Sequence, residues 1–226
     1  GITIVKPEKK KTPQKGTITV EKTGEIFSNV TSSGEKVVLY QPEYSASGLA
    51  GAVFEIYADE DITTPDGTIR YTKDTLVDTI TTDEKGTATS KQLYLGKYRV
   101  VETVAPYGTV INPEPHTVEL TYSGQNEKLT NTSTSFTNDR QKVVIDLTKI
   151  LEQDENFSIG NNDEIRNVSF GLYADEDLKA ANGTVIPKDG LLEIITCNEK
   201  GKATLTTDLS IGKYYVKEIS TDSHYI

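Results

Sequence analysis

The chain has 226 residues, 35% of them hydrophobic and 26% charged, with a formal net charge of -10. No apolar run approaches the roughly 20 residues of a membrane-spanning helix. A single cysteine, Cys197, rules out an internal disulfide and the usual zinc spacing, and the acidic balance weighs against nucleic acid as a partner. No signal peptide is visible, and no methionine occurs even at the start. The chain therefore reads as a piece of a longer precursor with its targeting segments elsewhere.

Residues 1–15 open with "GITIV" and continue as "KPEKKKTPQK", so the first 16 residues carry five lysines and one acid. This stretch reads as a solvated linker or the end of a preceding domain. From Gly16 the apolar period is two. "GTITVEK" (16–22) sets Ile18, Val20 and Lys22 on one face, and the segment 23–48 follows with Phe27, Tyr40 and Tyr44. Further short strands are predicted at "AVFEIYA" (52–58), "TLVDTIT" (75–81), "KYRVVET" (97–103), "HTVELTY" (116–122) and "STSFTND" (133–139). Gly, Pro, Asn and Asp clusters such as "TPDG", "DEKG" and "APYG" separate them.

The chain then repeats itself. "VVIDLTK" (143–149) restates the first strand, "VSFGLYADEDL" (168–178) matches "GAVFEIYADEDI" (51–62), and "KDGLLEIITCNEKGKAT" (188–204) matches "KDTLVDTITTDEKGTAT" (73–89). "GKYYVKEI" (212–219) likewise matches "GKYRVVET" (96–103). The offset is far too long for a solenoid repeat and fits two tandem domains. Many short strands without a capped helix predict an all-β chain of two antiparallel β-sandwiches. The expected boundaries are 16–139 for the first and 140–226 for the second. The segment 23–48 is an insertion in copy one, and copy two is expected to lack the final strands.

Strand alternation aims three polar groups of copy one inward: Lys22, Glu102 and Asn138. Lys149 and Glu218 repeat the first two in copy two. A buried carboxylate is costly unless paired or protonated. From the residues alone, two readings stand. Lys22 and Glu102 form a partly buried ion pair with Asn138 as a turn residue, or the three are a reactive group. In the second, a desolvated neutral lysine attacks the Asn138 side-chain amide and a protonated Glu102 helps ammonia leave.

"GLAGAVFEIYAD", "GKYRVVETVAPYG" and "SFTND" resemble the SpaA/Cna B-type domains of Gram-positive pilins and surface adhesins. The resemblance implies a prealbumin-like sandwich with an intramolecular isopeptide bond, Lys22 as nucleophile, Asn138 as acyl partner and Glu102 as catalytic acid. Lys149 and Glu218 take the matching roles in copy two, where the loop after Glu218 reads "KEIST" rather than "VETVAP". It also implies a stalk module of a wall-anchored bacterial surface protein, partnered by neighbouring domains, with no cofactor and no turnover catalysis. Two other readings belong beside it. The 23–48 insertion could be a loop that binds a host protein or glycan, or "GITIV" could complete a neighbour's copy two by strand addition.

Other features are weaker. The repeated "YADED" loops, Asp59–Asp61 and Asp175–Asp177, match no calcium loop. His116 and His224 have no obvious partners and read as surface imidazoles. Cys197 aligns with Thr82 as a small semi-buried residue. Sequons at Asn29, Asn131, Asn167 and Asn182 matter only in a glycosylating host.

Overall fold

A computed structural model describes residues 12–150 and 168–220. "GITIV" and His224 lie outside the described residues. The described residues form two compact units, one of residues 12–24 and 47–139, the other of 25–46, 140–150 and 168–220.

The first unit draws on β1 (Lys15–Ser33) up to Gly24 and the end of β2 (Leu39–Gly48). It continues with β3 (Val53–Ala58), β4 (Ile62–Thr63), β5 (Ile69–Tyr71), β6 (Leu76–Thr81), β7 (Thr87–Thr89), β8 (Leu93–Tyr94), β9 (Gly96–Val104), β10 (His116–Leu120) and β11 (Leu129–Asn138). One sheet has the order β10-β9-β3-β6, antiparallel throughout. In the other, β1 pairs in parallel with β11 and antiparallel with β7 and β8. The inner faces meet in one core containing Ile18, Val20, Phe54, Ile56, Tyr98, Val100, Leu120 and Phe136. Burial alternates along β1 and β9 as the period of two requires. Phe54 and Phe136 pack as tilted rings with centroids 4.8 Å apart, tying the two sheets together.

The second unit contains β12 (Asp146–Thr148), β13 (Ser169–Ala174), β14 (Leu178–Lys179), β15 (Val185–Ile186), β16 (Leu191–Thr196), β17 (Lys202–Thr204) and β18 (Tyr214–Ser220). β13 lies between β16 and β18, and β12 pairs with β17. Among the described residues, no strand pairs with β12 as β11 pairs with β1, and none flanks β18 as β10 flanks β9.

The segment 25–46 departs from the expected boundaries. It is a β-hairpin of the second unit rather than an excursion from the first. The second half of β1 turns back into β2 at Gly34, whose φ is 99°. A Cβ there would lie 2.0 Å from the Val37 carbonyl oxygen, so only glycine fits. Phe27, Val30 and Tyr40 pack against a core of Leu172, Ala174, Leu178, Ile186, Leu192 and Leu209. Ala181 and Asn182 donate backbone N–H bonds to the carbonyls of Phe27 and Ser28, and Leu39 pairs with Leu191 of β16. The Tyr44 hydroxyl donates to the Asp208 carbonyl at 2.9 Å, and its ring covers the Arg140 guanidinium at 3.5 Å. Burial pushes the Tyr44 phenol up to about 12. The aromatic residues that suggested a binding loop are therefore occupied in packing.

Both units repeat one backbone device. Asp74 and Asp189, equivalent in the two copies, have φ of 67° and 65°, a region that non-glycine residues adopt rarely.

Candidate functional site

β1 and β11 bring Lys22 and Asn138 together. Parallel pairing sets Lys22 opposite Phe136 and Gly24 opposite Asn138, so the two polar side chains leave neighbouring positions on the inner face. The "DEKG" turn fixes the Lys22 backbone. Lys22 N–H donates to the Gly86 carbonyl at 2.7 Å, and the Lys22 carbonyl accepts from Leu49 N–H at 3.0 Å. Gly86 has φ 79°, and a Cβ there would meet the Lys22 carbonyl oxygen at 2.3 Å. β9 supplies Glu102 from the facing sheet, opposite Phe54.

All three side chains are buried, with residue exposures of 0% for Lys22, 2% for Glu102 and 3% for Asn138. Lys22 Nζ donates to Asn138 Oδ1 in a very close contact. The same nitrogen lies 3.2 Å from Glu102 Oε1. Asn138 Nδ2 donates to both Glu102 oxygens at 2.9 Å. Glu102 thus touches both the lysine nitrogen and the amide nitrogen. Desolvation holds the Lys22 ammonium below its usual range despite the opposing pull of Glu102.

The reading of Asn138 as a mere turn residue does not fit this geometry. Its side chain is buried, with Oδ1 on the amine and Nδ2 on the acid.

In the second unit, Lys149 Nζ meets Glu218 Oε2 at 3.0 Å, with side chains 29% and 33% exposed. This pair is a half-buried counterpart of Lys22–Glu102. Cys197 is buried with Val168, Ile195 and Ala203, and burial pushes its thiol up, which makes it a poor nucleophile at neutral pH.

The remaining sequence candidates find structural work. Glu60 and Glu176 accept the N–H groups of Lys97 and Lys213. Asp61 and Asp177 accept those of Lys73 and Lys188. The repeated "YADED" acids therefore brace turns, and the described residues contain no group of ligands suited to a metal. His116 is not the surface imidazole expected. It stacks on Phe136 at 3.7 Å and bonds Thr134 through Nδ1. Its partners were hidden because they depend on where β11 lies.

A family model, the SpaA prealbumin-like fold domain, matches residues 35–135 and 155–226. The chain belongs to this family. The two matched stretches give the SpaA fold once in each copy, as an all-β prealbumin-like sandwich. They include Glu102 and Glu218 but leave out Lys22, Asn138 and Lys149. The "trypsin-resistant surface T6 protein" of Streptococcus pyogenes serotype M6 is 27% identical over 187 residues, covering 78% of this chain and 32% of its own. The TIE protein of Bacillus anthracis shares the fold at TM-score 0.57 and 21% identity, over 94% of this chain and 29% of its own. The shaft pilin of Lactobacillus rhamnosus GG aligns over 93% of this chain and 89% of its own, at 14% identity and TM-score 0.36. The SpaA chain described here thus spans about a third of the T6 and TIE proteins.

Proposed function

We propose that this chain is a stalk or backbone segment of a pilus-like protein or adhesin on the surface of a Gram-positive bacterium. Its first unit is locked by a Lys22–Asn138 isopeptide bond. The observation that carries the reading is the buried contact of Lys22, Glu102 and Asn138 on the first, ninth and last strands of one sandwich. The surface location draws support from the streptococcal surface relative. Neighbouring domains of the same protein are its expected partners.

The chemistry follows from which atoms touch. Lys22 passes a proton to Glu102 Oε1, leaving a neutral amine beside a neutral carboxyl. Nζ attacks Asn138 Cγ, and the Nζ–Cγ bond forms. The carboxyl protonates Nδ2 and takes up the proton Nζ sheds, the Cγ–Nδ2 bond breaks and ammonia departs. The fold holds amine and amide in contact, supplying a high effective molarity. The reaction happens once per molecule, and nothing turns over. The product joins the first-unit part of β1, near its Gly24 limit, to the end of β11, so a pull on the chain passes through a covalent bond rather than the sheet ladder.

The test is an accurate intact mass of the purified chain. One ammonia less than the sequence mass is expected. The full sequence mass would remove the bond from the proposal.

The pH dependence of bond formation is a second expectation. The Lys22–Glu102 pair must hold one proton between them, on the amine or on the acid. Loss of that proton leaves no acid for the departing nitrogen. Burial lowers the Lys22 value from 10.5, so the rate should fall on the alkaline side before pH 10.5, read by mass against time. A rate that climbs steadily through pH 10.5 would contradict the proton relay.

The binding-loop reading loses its support, because Phe27 and Tyr40 pack in the second unit. The strand-addition reading concerns "GITIV", outside the described residues.

A further inference from the structure

One loop of the first unit, Pro106–Asn112 between β9 and β10, touches the reacting group twice and the residue after Asn138 once. Asn112 N–H donates to Glu102 Oε2 at 2.8 Å. Val110 N–H donates to the carbonyl of Asp139, the residue after Asn138, at 2.8 Å. Thr109, 7% exposed, brings its Oγ1 to 3.5 Å from Asn138 Nδ2. The Thr109 hydroxyl spends its own proton on the Pro106 carbonyl at 2.9 Å, so it presents only lone pairs to the amide.

That polarity has a consequence for the reaction. In the charged pair, the ammonium is a pure donor and the carboxylate a pure acceptor, so together they fix Oδ1 toward Lys22 and Nδ2 toward Glu102. Once the proton has moved, the amine and the carboxyl each both donate and accept. The amine and Oε1 then no longer distinguish the two ends of the Asn138 amide, which leaves Oε2 and Thr109 Oγ1 as the acceptors that hold the leaving nitrogen against a half-turn about Cβ–Cγ. Thr109 Oγ1 stays an acceptor throughout. The Asn112 amide likewise keeps Oε2 as an acceptor, leaving Oε1, the oxygen that faces both Lys22 and Nδ2, to carry the proton.

We infer that Thr109 is a positioning residue for isopeptide formation, holding the leaving nitrogen of Asn138 toward Glu102 through the neutral stage of the reaction. The inference rests on the proposed bond. It goes beyond it by assigning to the loop a role separate from the three reacting side chains.

The experiment follows ammonia loss by intact mass at intervals after cell-free synthesis of the full chain. Wild type, Thr109→Val, Thr109→Ser and Asn138→Ala are compared. Thr109→Val keeps the shape and removes the acceptor, and should slow the loss about tenfold, the scale of one directed hydrogen bond. Thr109→Ser keeps the hydroxyl and should react within about twofold of wild type. Because Thr109→Val also removes the bond to the Pro106 carbonyl, both substitutions are melted in the Asn138→Ala background as well, and a slower reaction matched by an equal loss of stability there would assign Thr109 a structural role instead. A Thr109→Val chain as fast as wild type overturns the inference, as does a Thr109→Ser chain as slow as Thr109→Val. If wild type keeps its own full sequence mass, as Asn138→Ala keeps its own, the bond itself is absent and both readings fall together.

Discussion

Asn138→Ala should give a chain of full sequence mass whose first unit melts on the order of 15–20 °C below wild type. This substitution is preferred to removing Glu102, which would strand a buried ammonium and mix two effects. It leaves the Lys22–Glu102 contact in place and deletes only the acyl partner. The proposed bond spans 116 positions of sequence. Closing a loop of that size restricts the unfolded chain by about 4–5 kcal/mol in the chain-entropy account of cross-links. For a domain of roughly this size, each kcal/mol moves the midpoint by about 3–5 °C. Calorimetry of the two proteins measures the difference directly. Equal midpoints would mean that the contact is a polar cluster and nothing more.

Replacing residues 27–44 with a short glycine-serine turn should abolish the cooperative transition of the second unit while the first still loses ammonia. The hairpin contributes Phe27, Val30 and Tyr40 to the Leu172–Leu209 core. Removing two aromatic residues and a valine from a packed site costs roughly 6–8 kcal/mol, comparable with the 5–15 kcal/mol that holds a whole domain together. The backbone bonds from Ala181 and Asn182 would go with them. Calorimetry and mass on the shortened chain give the two answers separately. A second unit that still melts cooperatively would show the hairpin to be dispensable, and the segment would again be open to a binding role.

These two expectations divide along what could be read in the sequence. Lys22, Glu102 and Asn138 were legible because a period of two leaves no doubt which face a residue takes. A polar group on an apolar face is conspicuous even without its partners. The hairpin was not legible for the opposite reason. "EIFSNV" and "VVLYQ" look like strands, but the repeat alignment gives them no counterpart, and the surface they cover lies more than 130 residues further along. Pattern identifies a strand and says nothing about its neighbour. Thr109 left still less trace, since a threonine in an irregular loop obeys no period. His116 was misjudged because its partners Phe136 and Thr134 depend on how β11 is placed.

The hairpin also imposes an order of events on synthesis. Val30 bonds Thr184, 154 positions away, and Tyr44 reaches Asp208, 164 away. At about 5–20 residues per second, the hairpin emerges on the order of ten seconds or more before the residues that will cover it. Every strand of the first unit is complete by Asn138, well before then. The first unit can therefore fold, and the proposed bond can close, while Phe27 and Tyr40 are still waiting for their core. For that interval the nascent chain carries two paired strands with an uncovered apolar face, the arrangement most exposed to wrong pairing with another copy.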